Sequence, residues 1–402
     1  MKKIILMLVI VLFIFSCEED NPVTTDLSSK FIKIQNMLDT AFRGYLTRQS
    51  IPDTGDISFY MSYKGTKHFF HSGFDKSINE NYHFRIASNT KVFTSAAIML
   101  LYQQGKLNID DKIVDLIPNT SEPYVPNTSN FDIPFKNNIT IRQLMQHRAG
   151  VFDVTNSDIP DTVNMPYAGK NYLEWAKNTY GITHQFTFDE LLGVVSETQL
   201  YYFEPGTDFH YSNTGYNLMA VIIERISGIK YSDFVTENLI NNNNLLSTSC
   251  PWEATDNKLP EPFMRGYIYS NGIFEDATES NMSGNVSEGN IISTPADMIK
   301  WIKLMITGNA GINKENVEIM IDNPDIYIKH YGLGIITTES VGYGHNGAHD
   351  GYLSFVFYNP DMDLAVCIVW TLWDLSEGLD SISNQLMILQ DLLKESVIIL
   401  KE

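Results

Sequence analysis

Strand-like segments lie near both ends of this 402-residue chain, and a long, mainly helical stretch separates them. Alternating apolar residues predict a hairpin formed by residues 56–64 and 67–74, joined through Gly65. Three further strands are predicted towards the C-terminus, over residues 332–338, 352–358 and 364–372. The pattern therefore predicts an α+β fold, an α/β sandwich in which both chain ends form one antiparallel sheet. A mainly helical region, roughly residues 106–290, is inserted between them.

The N-terminal residues predict an export signal rather than part of the fold. Lys2 and Lys3 precede an apolar run over residues 4–15, which suits a signal peptide and is short for a membrane span. The run stops at Ser16-Cys17, which resembles a bacterial lipoprotein signal with Cys17 as the lipidated residue. Ordinary signal cleavage, with Cys17 incidental, is the alternative.

This interpretation divides the chain into three parts. Residues 1–16 are the signal peptide, 17–30 a polar tether and 31–402 the folded domain. We expect an exported protein in the cell envelope that meets the membrane only through its N-terminal lipid. The other two cysteines, Cys250 and Cys367, permit one disulfide but make no disulfide framework.

The charge balance excludes one class of partner. Against 28 Lys and Arg stand 48 Asp and Glu, a formal net charge of −20. Because such a surface repels phosphate backbones, nucleic acid is not expected to bind.

Ser88-Asn89-Thr90-Lys91 is a Ser-x-x-Lys motif, the first of three candidate catalytic elements. Residues three apart share a helix face, so the Lys91 amine can lie beside the Ser88 hydroxyl and remove its proton. Ser227-Gly228-Ile229-Lys230 has the same spacing but falls at the C-terminal end of a predicted helix. The helix dipole there opposes an anionic intermediate, which favours Ser88 as the nucleophile.

The second element is Tyr211-Ser212-Asn213, which precedes a predicted helix over residues 214–227. A tyrosine can relay a proton to a leaving group, and an Asn amide can hold a substrate carbonyl. Tyr269-Ser270-Asn271 repeats the string, but Asn271-Gly272 is typical of a hairpin turn.

The third element is a His-x-Gly string on a strand, where glycine lets substrate approach the backbone. Four strings fit this pattern, and their residues alone do not separate them. They begin at His71, His330, His345 and His349.

Together these segments resemble the class C β-lactamase and D-alanyl-D-alanine carboxypeptidase family of penicillin-recognising serine hydrolases. The likeness covers about residues 55–372. Its anchors are FRIASNTK at 84–91, GKLNIDDK at 105–112, ITIRQLMQHRAG at 139–150, the segment 204–228, IISTPADMIKW at 291–301, and the segment 331–334 followed by GHNGAHDGY at 344–352.

The resemblance implies roles for particular residues. Ser88 would be acylated, Lys91 its base, Tyr211 the proton relay and Asn213 a substrate contact. A strand segment would bind substrate and its oxyanion through His345, Asn346, Gly347 and Ala348.

Two departures bear on the substrate. His345-Asn346-Gly347 replaces Lys-Thr-Gly, which weakens the case for β-lactams, and Glu288-Gly289-Asn290 stands where many relatives have small residues. We expect hydrolysis of an amide or ester, most nearly like a D-alanyl-D-alanine carboxypeptidase, with no cofactor or metal. The substrate would be a small peptide, β-lactam or ester. A β-lactamase, a carboxylesterase and a non-enzymatic penicillin-binding sensor are the alternatives.

Overall fold

A six-stranded antiparallel sheet is the centre of the fold, with strand order β2-β1-β10-β9-β8-β7. The computed structural model describes residues 22–322 and 330–402. The strands are β1 Asp56–Tyr63, β2 Thr66–Gly73, β3 Phe84–Arg85, β4 Tyr267–Ser270, β5 Ile273–Asp276, β6 Ile292–Ser293, β7 Ile336–Thr338, β8 Gly342–His349, β9 Tyr352–Asn359, β10 Leu364–Trp370 and β11 Leu372–Asp374.

The helices lie mainly in the inserted region and at the two ends of the described chain. They are α1 Pro22–Gln49, α2 Thr90–Gln103, α3 Ile141–Met145, α4 Tyr172–Tyr180, α5 Phe188–Thr198, α6 Asn213–Ser227, α7 Tyr231–Val235, α8 Pro295–Ile306, α9 Lys314–Ile321 and α10 Leu379–Lys401. α6 ends at Gly228 in the left-handed conformation, as its position after an apolar helix predicts.

The pairing of β1 with β10 joins the two ends of the chain. Ile57 lies opposite Trp370 and Tyr63 opposite Leu364. β9 and β10 are buried along their whole lengths, since helices cover both faces of the sheet. The predicted fold class, an antiparallel sheet from both ends with helices inserted, is confirmed.

Two apolar layers flank the sheet. On one face α2, α6 and α8 pack in the larger core, where Phe93 stacks on Trp301 with ring centroids 4.1 Å apart. On the other face α1 and α10 cover the sheet, and Phe42 and Tyr45 pack against Trp370. The Ser88 turn leads directly into α2 and so lies on the side of the larger core.

The predicted tether over residues 17–30 is wrong from residue 22 onward, because α1 begins at Pro22. Ile34, Leu38 and Phe42, four residues apart, form an apolar stripe that packs on the sheet. Lys30 is buried and donates to the Leu400 carbonyl at 3.3 Å, which ties α1 to the end of α10. Tertiary packing thus makes this polar segment helical. Cys17 and the predicted signal peptide lie outside the described residues.

Other local expectations have mixed outcomes. The hairpin at Asn271-Gly272 is confirmed by β4 and β5. The predicted strand 332–338 is shorter, since β7 begins at Ile336 after a turn in which Gly332 donates to the Ile335 carbonyl. Cys250 and Cys367 are both buried free thiols. Within residues 22–322 and 330–402, no helix is both long and apolar enough to cross a bilayer.

Candidate active site

Ser88 lies in a tight turn between β3 and α2. Ala87 has φ 50°, a left-handed conformation that costs a non-glycine residue about 1 kcal/mol or more. The Asn89 amide donates to the Ile86 carbonyl and to the Ser354 hydroxyl, each at 3.0 Å, so the turn is anchored to β9. The turn leaves Ser88 partly exposed while its neighbours are buried.

Lys91, in the first turn of α2, lies directly beneath Ser88. Its Nζ is 3.1 Å from Ser88 Oγ, and the residue has no exposed surface. Burial lowers the pKa of Lys91, which moves the amine towards the neutral form that can accept a proton. The predicted pairing of Ser88 with Lys91 is thus present in the geometry.

Tyr211 completes the group around the amine. Lys91 Nζ lies 4.8 Å from the Tyr211 ring centroid. The Tyr211 hydroxyl is buried beside the Ser88 hydroxyl. Burial raises the pKa of Tyr211 well above its usual value, and the nearby Ser88 hydroxyl opposes this shift. Tyr211 is therefore a neutral phenol beside the candidate nucleophile.

A buried chain of hydrogen bonds runs behind Tyr211 and was not predicted. The Ser212 backbone N–H donates to His147 Nδ1 at 3.0 Å, so the His147 proton is assigned to Nε2. His147 Nε2 lies 3.1 Å from the Tyr331 hydroxyl, which lies 3.0 Å from His345 Nε2. The His147 ring packs on Tyr211 with centroids 4.1 Å apart. This chain of hydrogen bonds fixes the His147 ring, which in turn supports the Tyr211 ring.

His345 occupies β8, but its ring turns into the protein. It has no exposed surface, and its Nδ1 lies 2.5 Å from the Asn346 carbonyl. Burial lowers the pKa of His345 to about 3, so the ring is neutral at physiological pH. His345 cannot supply the positive charge that a lysine would offer at this position.

The rest of the predicted strand segment borders the Ser88 turn. A Cβ on Gly347 would lie 2.4 Å from the Ile86 carbonyl oxygen, so only glycine lets β8 approach the turn this closely. Asn346 is partly exposed and Ala348 is exposed, opposite Leu353 of β9. The role of the Ala348 N–H as an oxyanion donor stays a prediction.

Asn213 begins α6 two residues after Tyr211. Its Nδ2 donates to Thr155 Oγ1 at 2.8 Å, and Thr155 in turn donates to the Asp153 carboxylate at 3.0 Å. This network orients the amide and leaves its buried Oδ1 without a hydrogen bond from any described group. The Asn213 nitrogen thus already donates to Thr155, whereas the sequence led us to expect the Asn213 amide to donate to a substrate carbonyl.

Glu288 is the unpredicted acid of the site. Lys91 Nζ donates to the Glu288 carbonyl oxygen at 2.9 Å and lies 3.5 Å from its carboxylate. The sequence marked Glu288-Gly289-Asn290 as a departure without placing it beside the lysine. The only available signal was the unusual acid at that position.

The duplicate motifs lie elsewhere. Ser227 ends α6 and its hydroxyl bonds to Ile229 of the same turn, while Tyr269 lies in β4. Among the four His-x-Gly strings, His345 lies in the strand against the Ser88 turn, and His71 lies in β2. His349 ends β8, two residues beyond Gly347. Over the described ranges, no three His, Cys, Asp or Glu side chains cluster as a metal site.

Comparison with known proteins identifies the family. The beta-lactamase family model matches residues 38–382. Protein flp of Staphylococcus aureus is 25% identical over 349 residues, which cover 83% of this chain and 62% of flp. Penicillin-binding protein 4* of Bacillus subtilis is 25% identical, covering 69% of this chain and 58% of that protein. The chain thus spans about three-fifths of the length of these curated relatives.

A solved structure has the same fold. D-amino acid amidase from Ochrobactrum anthropi SV3, complexed with L-phenylalanine amide, is similar with a TM-score of 0.67 and 22% identity. The match covers 91% of this chain and 99% of the amidase. The chain belongs to the beta-lactamase family, a family of serine hydrolases, amidases and peptidases.

Proposed function

We propose that this protein is a serine hydrolase that forms an acyl-enzyme through Ser88 and acts on small peptides as a D-alanyl-D-alanine carboxypeptidase-like enzyme. The 3.1 Å contact between a partly exposed Ser88 hydroxyl and a fully buried Lys91 amine carries the proposal. An alcohol becomes a competent nucleophile when a desolvated amine can take its proton.

The proposed reaction has two steps. Ser88 Oγ attacks the substrate carbonyl carbon while Lys91 Nζ takes the hydroxyl proton, and the carbonyl oxygen becomes an oxyanion. Tyr211 relays the proton from Lys91 to the leaving group as its bond to the acyl carbon breaks. Water then attacks the ester, and Ser88 recovers its proton.

The neutral, buried His345 offers no positive charge to a substrate carboxylate, which supports amides and esters over β-lactams. β-Lactamase and carboxylesterase activities are the competing proposals. The name of the similar D-amino acid amidase adds amino acid amides to the substrates worth testing.

A fluorophosphonate probe tests the nucleophile. We expect intact-mass spectrometry to find one adduct on the wild type and none on Ser88→Ala. Ser227→Ala is the matched control, since it removes the serine of the second Ser-x-x-Lys motif, and it should label like the wild type. Labelling of folded Ser88→Ala would overturn the assignment.

A substrate panel separates the activities. A D-Ala-D-Ala peptide, an amino acid amide, a p-nitrophenyl ester and nitrocefin report peptidase, amidase, esterase and β-lactamase turnover. Acylation without turnover of any of them would support a sensor instead.

We also propose that the protein is exported and held in the cell envelope by lipid on Cys17, as the signal-like residues 1–17 suggest. The mass of the mature N-terminal peptide tests this, and an unmodified Cys17 would contradict it.

A further inference from the structure

Glu288 places a carboxyl group where the proposed mechanism needs none. Its side chain is 3% exposed, and its Oε2 lies 3.5 Å from Lys91 Nζ. Its other oxygen accepts from Asn285 Nδ2 at 2.7 Å. An acid this deeply buried is uncommon unless it is paired, and here its partner is the proposed base.

The turn that carries Glu288 is anchored independently of the carboxyl group. Asn217 of α6 donates to the Val286 carbonyl at 2.9 Å, and Ser287 Oγ donates to the Tyr216 carbonyl at 3.0 Å. Thr94, one turn after Lys91, donates to the Ser287 carbonyl. Because these bonds hold the backbone, the Glu288 carboxyl can change without loss of the turn.

We propose that Glu288 is a positioning residue for acylation, whose carboxylate holds the Lys91 ammonium against Ser88 and restrains it from losing its proton. This inference rests on the proposed function of Ser88. Lys91 Nζ has three oxygen neighbours, namely Ser88 Oγ, the Glu288 carbonyl and the Glu288 carboxylate. The three oxygens suit the three donors of an ammonium, and the proposed resting state therefore places the proton on Lys91 and the negative charge on Glu288.

Attack then requires the ammonium to lose that proton to solvent, as it does when the pH rises, before Ser88 can use the amine. Neutral Lys91 Nζ takes the Ser88 proton, Oγ bonds to the acyl carbon, and the proton passes on to the leaving group. Burial alone lowers the pKa of Lys91, and the Glu288 charge opposes that shift. Burial raises the pKa of Glu288, and the Lys91 charge opposes that shift, so each charge of the pair stabilises the other.

Other titratable groups also face this pair, and none replaces Glu288. Asp153 acts on the Lys91 amine through its charge, but its carboxylate oxygens accept hydrogen bonds from Thr155 and Asn156. Burial keeps the neighbouring imidazoles and phenols neutral. These groups are His147, His345, Tyr211, Tyr216 and, beside Glu288, Tyr231.

The test follows the rate constant of fluorophosphonate labelling between pH 5 and pH 9, which needs no known substrate. In Glu288→Gln, the acid limb of this profile should move to lower pH by about one unit or more, since Lys91 has lost its counter-charge. We compare the labelling rate constants one pH unit below the wild-type midpoint, each as a fraction of that protein's plateau value. This fraction should be several-fold higher in Glu288→Gln than in the wild type.

Two variants keep the test decisive. Glu122→Gln removes an exposed partner of Arg225 and should leave the midpoint unchanged. Asn285→Ala removes the hydrogen bond to the Glu288 carboxylate and should move the midpoint in the same direction by less. It carries the test if Glu288→Gln does not fold.

The outcomes are distinct. If folded Glu288→Gln has the same acid-limb midpoint as the wild type, the role of Glu288 is overturned and Ser88 remains the nucleophile. If Glu288→Gln does not fold, the same midpoint in Asn285→Ala has the same meaning. A wild type that the probe does not label would overturn the proposed function itself.

Discussion

At the scale of single residues, the site depends on close approach between backbones. The Ser88 turn and β8 meet at Gly347, where Ser354 and Asn89 also crowd the missing Cβ. The Asn89 side chain ties the turn to β9, the strand paired with β8, through the Ile86 carbonyl and Ser354. A side chain at Gly347 would therefore displace the nucleophile rather than an unrelated loop.

Gly347→Ala should slow fluorophosphonate labelling by on the order of 100-fold, since the added Cβ must push the turn away from β8. Overpacking should also cost about 1–3 kcal/mol of unfolding free energy. Gly193→Ala in α5 is the control, because the three atoms nearest to its Cβ all belong to Asn130 and lie 3.7 Å or more away. Equal labelling rates for Gly347→Ala and the wild type would show that the approach is not needed.

At the scale of elements, α1 and α10 cover the outer face of the sheet. Leu389 of α10 is fully buried with Trp370 and Leu38, while Met387 on the same helix is 57% exposed. The lysines of α1 also meet the C-terminal end of α10, where Lys33 Nζ lies 2.5 Å from the Glu402 carboxylate. Because that pair is exposed, we expect apolar burial to supply most of the docking energy.

Leu389→Ala should lower the unfolding free energy by about 2–5 kcal/mol, the range for a leucine truncated in a packed core. Met387→Ala should change it by less than about 0.5 kcal/mol, because the side chain already faces solvent. Urea denaturation followed by circular dichroism measures both. Similar losses in the two variants would mean that α10 does not dock as described.

At the scale of the whole molecule, buried titratable groups link stability to pH. His345 has a pKa of about 3 when folded and 6.5 as a free side chain, so between these values the unfolded chain binds the extra proton. The unfolding free energy therefore falls as pH drops through this window, by about 1.4 kcal/mol per pH unit for one such group. Glu288 acts oppositely, because its raised pKa lets the folded state bind a proton at a higher pH than the unfolded chain does.

His345→Gln should make the loss of stability between pH 6.5 and pH 4 shallower by about 1.4 kcal/mol per pH unit, whatever its effect at pH 7. The Gln side chain can still accept a hydrogen bond from the Tyr331 hydroxyl, so the fold should persist. Unfolding curves at several pH values give the two slopes. Parallel slopes for the variant and the wild type would contradict a neutral, buried His345.

Local sequence determined much of this protein. The alternation of apolar residues in the hairpin strands and the continuous run Leu364–Trp370 predict the sheet, since burial on one or both faces leaves that periodicity. The spacing of Ser88 and Lys91 brings them together because one helical turn does so wherever that helix lies. Gly228 likewise marks the end of α6. It places Ser227 at the C-terminal end of a helix, whereas Ser88 precedes one, and this difference distinguishes the two Ser-x-x-Lys motifs.

Only the tertiary structure decided what surrounds that pair. Glu288 lies 197 residues from Lys91 in sequence, and the chain from His147 through Tyr331 to His345 spans three separate segments. No periodicity encodes such contacts, because they depend on how whole elements pack. Even α1 escaped prediction, since a segment with a polar start becomes helical once its apolar stripe finds the sheet.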